Sequence, residues 1–241
     1  MHHVVIDRWS RRASLIHARE PRIKLIALAI FLISVATTPG ASAAAASGYL
    51  AVLIAAILLS GLPLGGVLAR AAAVLPFSAA FAVVSWLSGD TQRAAALIGK
   101  SYLSAVAVLL VVATTPLERF VRAMEALGTP RLVALVVLFL YRYLFVISEQ
   151  AQHMRVAAAC RAPRRTRLSG GIGFRAAAGA VGVLFARSYA RAEGIHRSMF
   201  ARGFEGRFPT VALDPPRLPD FLFLLLAAAL TLAVRIGVRI G

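Results

Sequence analysis

The chain has one cysteine, Cys160, so it forms no internal disulfide and its redox compartment stays unspecified. Charge is also scarce, at 15% of 241 residues, against about 25% in an ordinary soluble domain. Hydrophobic residues reach 59% and mean hydropathy is +0.77, which excludes a water-soluble core. Acids are fewest, ten against 27 cations, and only Lys24 and Lys100 among the cations are lysine. Nearly every positive charge is therefore a planar guanidinium, suited to carboxylates, phosphates and backbone carbonyls. The net charge of +17 raises nucleic acid as a partner, but the cations sit in two blocks flanking apolar runs, so nucleic-acid binding is set aside. The chain has no phosphate-cradling loop, no Ser-His-Asp arrangement and no metal-ligand cluster. It is read as non-catalytic, without a cofactor or resident metal.

The apolar runs predict an all-α, polytopic membrane bundle of about five spans. The first covers about Pro21–Thr38, ended by Pro39 and Gly40. The second covers Ala41–Ala69, interrupted by Gly61 and Pro63; the third lies between Arg70 and Asp90, the fourth between Lys100 and Glu118, and the last is Phe221–Val234. Small residues such as Ala43–Ala46 allow close helix packing. The N-terminal segment carries Arg8, Arg11, Arg12, Arg19, Arg22 and Lys24 against Asp7 and Glu20, which places it on the cytoplasmic side of a bacterial inner membrane. It is expected to be retained, because no convincing small-residue cleavage site follows the first apolar run.

Eleven arginines gather between positions 150 and 210, with only Glu193 and Glu205 among them, and this block also belongs inside. Two inside blocks require an even number of crossings between them, and four satisfy it. Leu132–Ile147 would make a fifth and contains Arg142, costing about 2.5–3.5 kcal/mol at mid-bilayer. It is read as a helix in the interface or packed under the bundle. The chain then divides into a membrane bundle (1–115), a cytoplasmic or interfacial coupling module (116–216) and a C-terminal transmembrane helix (217–241).

Within the module, Thr115, Pro116 and Glu118 read as a capping box, and Gly128 with Pro130 ends that helix. A second helix is expected from about Ser148 to Ala162, stopped by Pro163, and a third from about Phe185 to Arg202, stopped by Gly203. On the third, Arg187, Arg191, Ser198 and Arg202 share one face, and Tyr189, Ala192, Ile195 and Met199 another. Two helix ends thus present arginines 41 positions apart, Ala159-Cys160-Arg161-Ala162 and Phe200-Ala201-Arg202-Gly203-Phe204. Each alone is explained by favourable placement of a cation at a helix C-terminus. As a pair on a basic arm, they point to docking on an acidic partner. His153, Cys160 and His196 offer an intramembrane-enzyme alternative without supporting carboxylates. Met1-His2-His3 offers a metal chelate, set aside because it lies on the cytoplasmic side. A membrane scaffold without energy coupling is the third alternative.

These residues resemble the T component of energy-coupling-factor transporters of the EcfT/CbiQ type, most closely the cobalt-transport family CbiQ. The likeness rests on Asp7 with Pro21-Arg22-Ile23-Lys24-Leu25, on Thr115-Pro116-Leu117-Glu118 and Leu127-Gly128-Thr129-Pro130, on Arg142, and on Met199-Phe200-Ala201-Arg202-Gly203-Phe204. It implies a non-catalytic subunit whose arm docks on two ABC ATPase subunits and drives a separate substrate-binding membrane subunit. That subunit would be of cobalt type, with or without a small accessory subunit; nickel or a vitamin are the alternatives. The docking positions carried over are Arg161, Ala162, Ala201, Arg202 and Gly203. At the first motif Cys160 and Ala162 stand where the family usually has alanine and glycine. Membrane lipid is the remaining partner.

Overall fold

The computed structural model describes residues 14–38, 43–161, 170–204, 215 and 217–240. Every regular element among them is helical: α1 (Pro21–Thr37), α2 (Ala43–Ser60), α3 (Leu64–Ala71), a single 3-10 turn (Ala72–Val74), α4 (Leu75–Leu87), α5 (Thr91–Ala113), α6 (Leu117–Ala126), α7 (Arg131–Arg161), α8 (Gly170–Ala201) and α9 (Leu218–Ile240). They fall into two compact units. One comprises the described residues within Met1–Pro130 and Leu213–Gly241, the other those within Arg131–Ala212.

In the first unit α5 is central and packs against α1, α2, α3 and α4, while α9 lies against α1 and α2. Its core is a file of Phe31, Val35, Tyr49, Leu53, Ile57, Val67, Val106 and Leu110. Tyr49, 1% exposed, meets Phe31 edge-to-face at 5.6 Å, and its hydroxyl pairs with Thr38 Oγ1 at 3.0 Å. That bond satisfies the one polar atom the ring brings inside. The outward surface is as greasy as the core, with Phe77, Phe81, Trp86, Leu222 and Leu225 exposed. In lipid such residues face a solvent as apolar as themselves, so packing and internal hydrogen bonds hold the helices together.

Four helical rods are long and apolar enough to cross a bilayer: Leu64–Leu87, Thr91–Ala113, Arg131–Arg161 and Leu218–Gly237; Ala44–Ser60 is apolar but shorter. Several boundaries differ from the sequence reading. Gly61 and Pro63 end the second rod outright, so residues 64–69 join the third. That third rod tightens to 3-10 before Pro76, whose ring cannot donate to the turn behind it. The fourth rod starts nine residues before Lys100 because Asp90 caps it, its Oδ1 accepting from Arg93 N at 2.8 Å. Lys100 is no boundary: its ammonium donates to Thr38 O at 2.6 Å and Ala36 O at 3.3 Å, the open carbonyls at the C-terminus of α1.

Three expectations for the arm are corrected. The helix expected from about Phe185 already begins at Gly170 and is α8, with no proline between there and Ala201 to break it. The capping box at Thr115 does not form; α6 begins at Leu117 with Pro116 at the cap and no side-chain cap bond, because the Thr115 hydroxyl accepts from Lys24. The helix expected to start near Ser148 is the second half of α7, which runs unbroken for 31 residues and includes 132–147. No glycine or proline lies between Arg131 and Ala162 to interrupt it. Arg142 sits within that helix, exposed. Residues Val121 and Ala123 bury α6 against α1.

Candidate partner-docking surface

Arg161 is the last residue of α7 and is exposed. Its neighbour Ala162 lies outside the described residues, as do Arg164, Arg165, Arg167, Glu205 and Arg207 of the basic block and Asp7 and His2-His3 of the N-terminus. At the other motif α8 ends at Ala201, followed by the exposed Arg202 and by Gly203 at φ +75°. Gly203 N donates to Phe200 O at 2.9 Å and Phe204 N to Met199 O at 3.0 Å. This pairing is a Schellman stop, which needs a left-handed residue after the cap, and glycine takes that conformation without a Cβ clash. The stop turns the backbone away directly after Arg202, which leaves its guanidinium projecting at the tip.

Between α7 and α8 runs a groove of about 800 Å³. Glu149, His153 and Arg161 line it from α7, and Arg187 and Arg191 from α8. The structure thus brings Arg161 beside the two arginines of the expected α8 face. Arg202 does not line this groove. A second groove of about 350 Å³ is lined by Phe139, Tyr143 and Ile147 of α7 and by Ala192, Ile195 and Met199 of α8, the expected apolar face apart from Tyr189. The Phe139 and Tyr143 rings stack in parallel at 6.2 Å. Elsewhere on α8, Arg197 is spent on Glu193, four residues back.

Of the residues of the enzyme alternative, His153 lines the first groove and His196 the second. His196 lies edge-on to Phe200 at 4.6 Å, Cys160 is exposed and does not line either groove, and among the described residues no three of His, Cys, Asp or Glu gather.

Sequence reasoning missed a charged cluster in the first unit, where the start of α1, the end of α5 and the start of α9 meet. Buried Lys24 donates to Thr114 O at 3.0 Å and reaches Thr115 Oγ1 at 3.5 Å. Asp220 Oδ1 accepts from Glu20 N at 3.4 Å and lies 3.7 Å from Arg19 Nη1, while its Oδ2 takes Arg217 N at 3.0 Å. Arg22 Nε stands 3.1 Å from Glu20 Oε1. The only hint was an aspartate opening the final apolar run.

Two comparisons bear on identity. The chain is similar to an uncharacterized protein of Methanocaldococcus jannaschii, 23% identical over 254 residues that cover 95% of this chain and 84% of that one. It also matches the cobalt transport protein family CbiQ over residues 12–211, a stretch that contains every helix but the last together with both arginine motifs. The all-α architecture, the apolar rods and that match together assign the chain to the CbiQ family of cobalt transport proteins.

Proposed function

We propose that this membrane protein is the coupling subunit of an energy-coupling-factor transporter for cobalt. It holds two ABC ATPase subunits on its cytoplasmic side and passes their nucleotide-driven movement to a separate substrate-binding membrane subunit. The bundle spans the membrane with the N-terminus inside, and residues 116–216 supply the coupling module. The chain carries no catalytic step of its own.

The observation that carries this reading is the exposed arginine at each helix tip, Arg161 closing α7 and Arg202 held out by the Schellman turn at Gly203. A guanidinium seated in a partner's acidic groove makes paired, charge-assisted bonds to a carboxylate. Truncating one such partner costs about 2–5 kcal/mol, much of it from stranding the other charge. The helices within Met1–Pro130 and Leu213–Gly241 form a packing unit that contains neither tip, and they are expected to keep their fold when the tips are cut back.

Arg161→Ala and Arg202→Ala are expected to lower both co-purification of ATPase subunits and cobalt uptake, with the double variant the most impaired. Membrane insertion and helicity stay at wild-type levels. A double variant that still retains its ATPases and transports at the wild-type rate removes the docking assignment. Uptake of nickel or a vitamin in place of cobalt by the intact assembly would keep the coupling role and change the substrate.

A further inference from the structure

The unit that carries α7 and α8 has far more cations than its own acids can pair. Residues 131–212 contain thirteen arginines and three acids, Glu149, Glu193 and Glu205. The stretch 162–169 that joins the two helices contributes Arg164, Arg165 and Arg167 to that count and no acid. Even with each acid paired, most of the guanidiniums have no carboxylate within this unit.

Three of them share the larger groove. Arg161 lines it at the end of α7, and Arg187 and Arg191 line it from α8; Arg191 stands where the two grooves meet and lines both. None of the three makes an ion pair or a side-chain hydrogen bond among the described residues, and neither does Glu149, the acid on the same wall. Arg187 and Arg191, four positions apart, are separated by about 6 Å along one side of α8. The floor between the helices is low and apolar, made by Ala157 and Ala158 of α7 and by Ala180 and Val183 of α8. Such short side chains let a backbone lie along the groove, which follows α7 from Val146 to Arg161, about 22 Å or four helical turns. Arg202 has no such surroundings, since it lines neither groove. The two arginine tips are therefore inequivalent.

We propose that the ATPase subunit seated on Arg161 also lays an acidic segment along this groove, with carboxylates one helical turn apart on Arg187 and Arg191 and small apolar side chains on the alanine floor. The inference rests on the docking role of Arg161 given above and extends it. The seat at the end of α7 is a charged strip, whereas the seat at Arg202 is a single contact. Charge complementarity selects the occupant, because guanidiniums without internal partners take carboxylates in paired bonds. Exposed pairs are screened by ions, so the strip makes the α7 seat the more salt-sensitive of the two.

The test is retention of ATPase subunits by the full chain, purified in detergent, at low and at high salt. Arg187→Gln with Arg191→Gln is expected to weaken retention about tenfold at low salt and to flatten its salt dependence. Ala157→Phe, which raises the floor and leaves every charge in place, is expected to weaken retention without flattening it. Arg155→Gln with Arg175→Gln removes two exposed arginines that line neither groove and should leave both quantities at wild-type values. Arginine and glutamine are both good helix formers, so helicity by circular dichroism stays unchanged in the glutamine variants. Wild-type retention and salt dependence in the α8 pair, or an equal loss in the control pair, overturns the strip and leaves the Arg161 seat standing. Wild-type retention in Arg161→Ala with Arg202→Ala removes the docking reading itself, and the strip with it.

Discussion

Gly48 on α2 lies so close to α9 that a Cβ there would stand 2.9 Å from Val234 Cγ1 and 3.2 Å from its Cγ2. Valine is stiff in a helix and cannot swing aside, so the backbones themselves would have to separate. Gly48→Ala should therefore destabilise the bundle by about 1–3 kcal/mol, the range for an overpacked core. Val234→Ala in the same chain should recover most of that loss, read as a non-additive cycle in detergent unfolding. Asp220 is the second residue on which local stability turns, because its two oxygens join the starts of α1 and α9. Asp220→Ala should cost about 1.5–3 kcal/mol, the worth of hydrogen bonds to a charged acceptor. A Tm equal to wild type would show that the Arg19 and Glu20 contacts contribute nothing. None of this was legible from residue order: the Asp220 to Glu20 bond joins positions 200 apart and the Lys24 to Thr114 bond positions 90 apart.

At the scale of elements, breakers and caps decide where rods end. The stops at Gly128 and Gly203 were readable because a Schellman turn is made within a few consecutive residues, with Thr129 N on Met124 O and Phe204 N on Met199 O. The Arg202 tip was legible for the same reason. Starts were harder to read. Thr115 had the right letters for a cap, but a lysine on another helix claimed its hydroxyl. The charge of Arg142 argued against 132–147 as a span and a separate helix was expected from about Ser148, whereas α7 runs through both positions uninterrupted. Ser148 Oγ only bonds back to Phe145 O at 2.9 Å, a contact that a helix tolerates. Ser148→Pro should remove one rung and clash with the carbonyl four residues back, costing about 3 kcal/mol or more. The expected result is lower helicity by circular dichroism together with reduced ATPase co-purification. Ser148→Ala should leave both unchanged.

On the whole-molecule scale the orientation of the arm is the testable quantity, and the chain carries its own probe. Cys160 is the single cysteine and is exposed next to Arg161. A membrane-impermeant maleimide should label it in inside-out vesicles and fail to label it in intact cells, with Cys160→Ser as the blank. Labelling from outside would place the arginine tips in the wrong compartment and end the coupling proposal.

Composition and local signals by themselves determined that this is a helical membrane protein and that two arginines stand at helix ends. Hydropathy is summed along the chain and a stop is made by adjacent residues, so neither needs a distant partner. Tertiary structure alone decided which helices meet, that Lys100 closes α1, and that Lys24 and Asp220 gather at one end. Those facts depend on side chains brought together from helices far apart in the chain, and helical periodicity carries no information about which helix lies opposite.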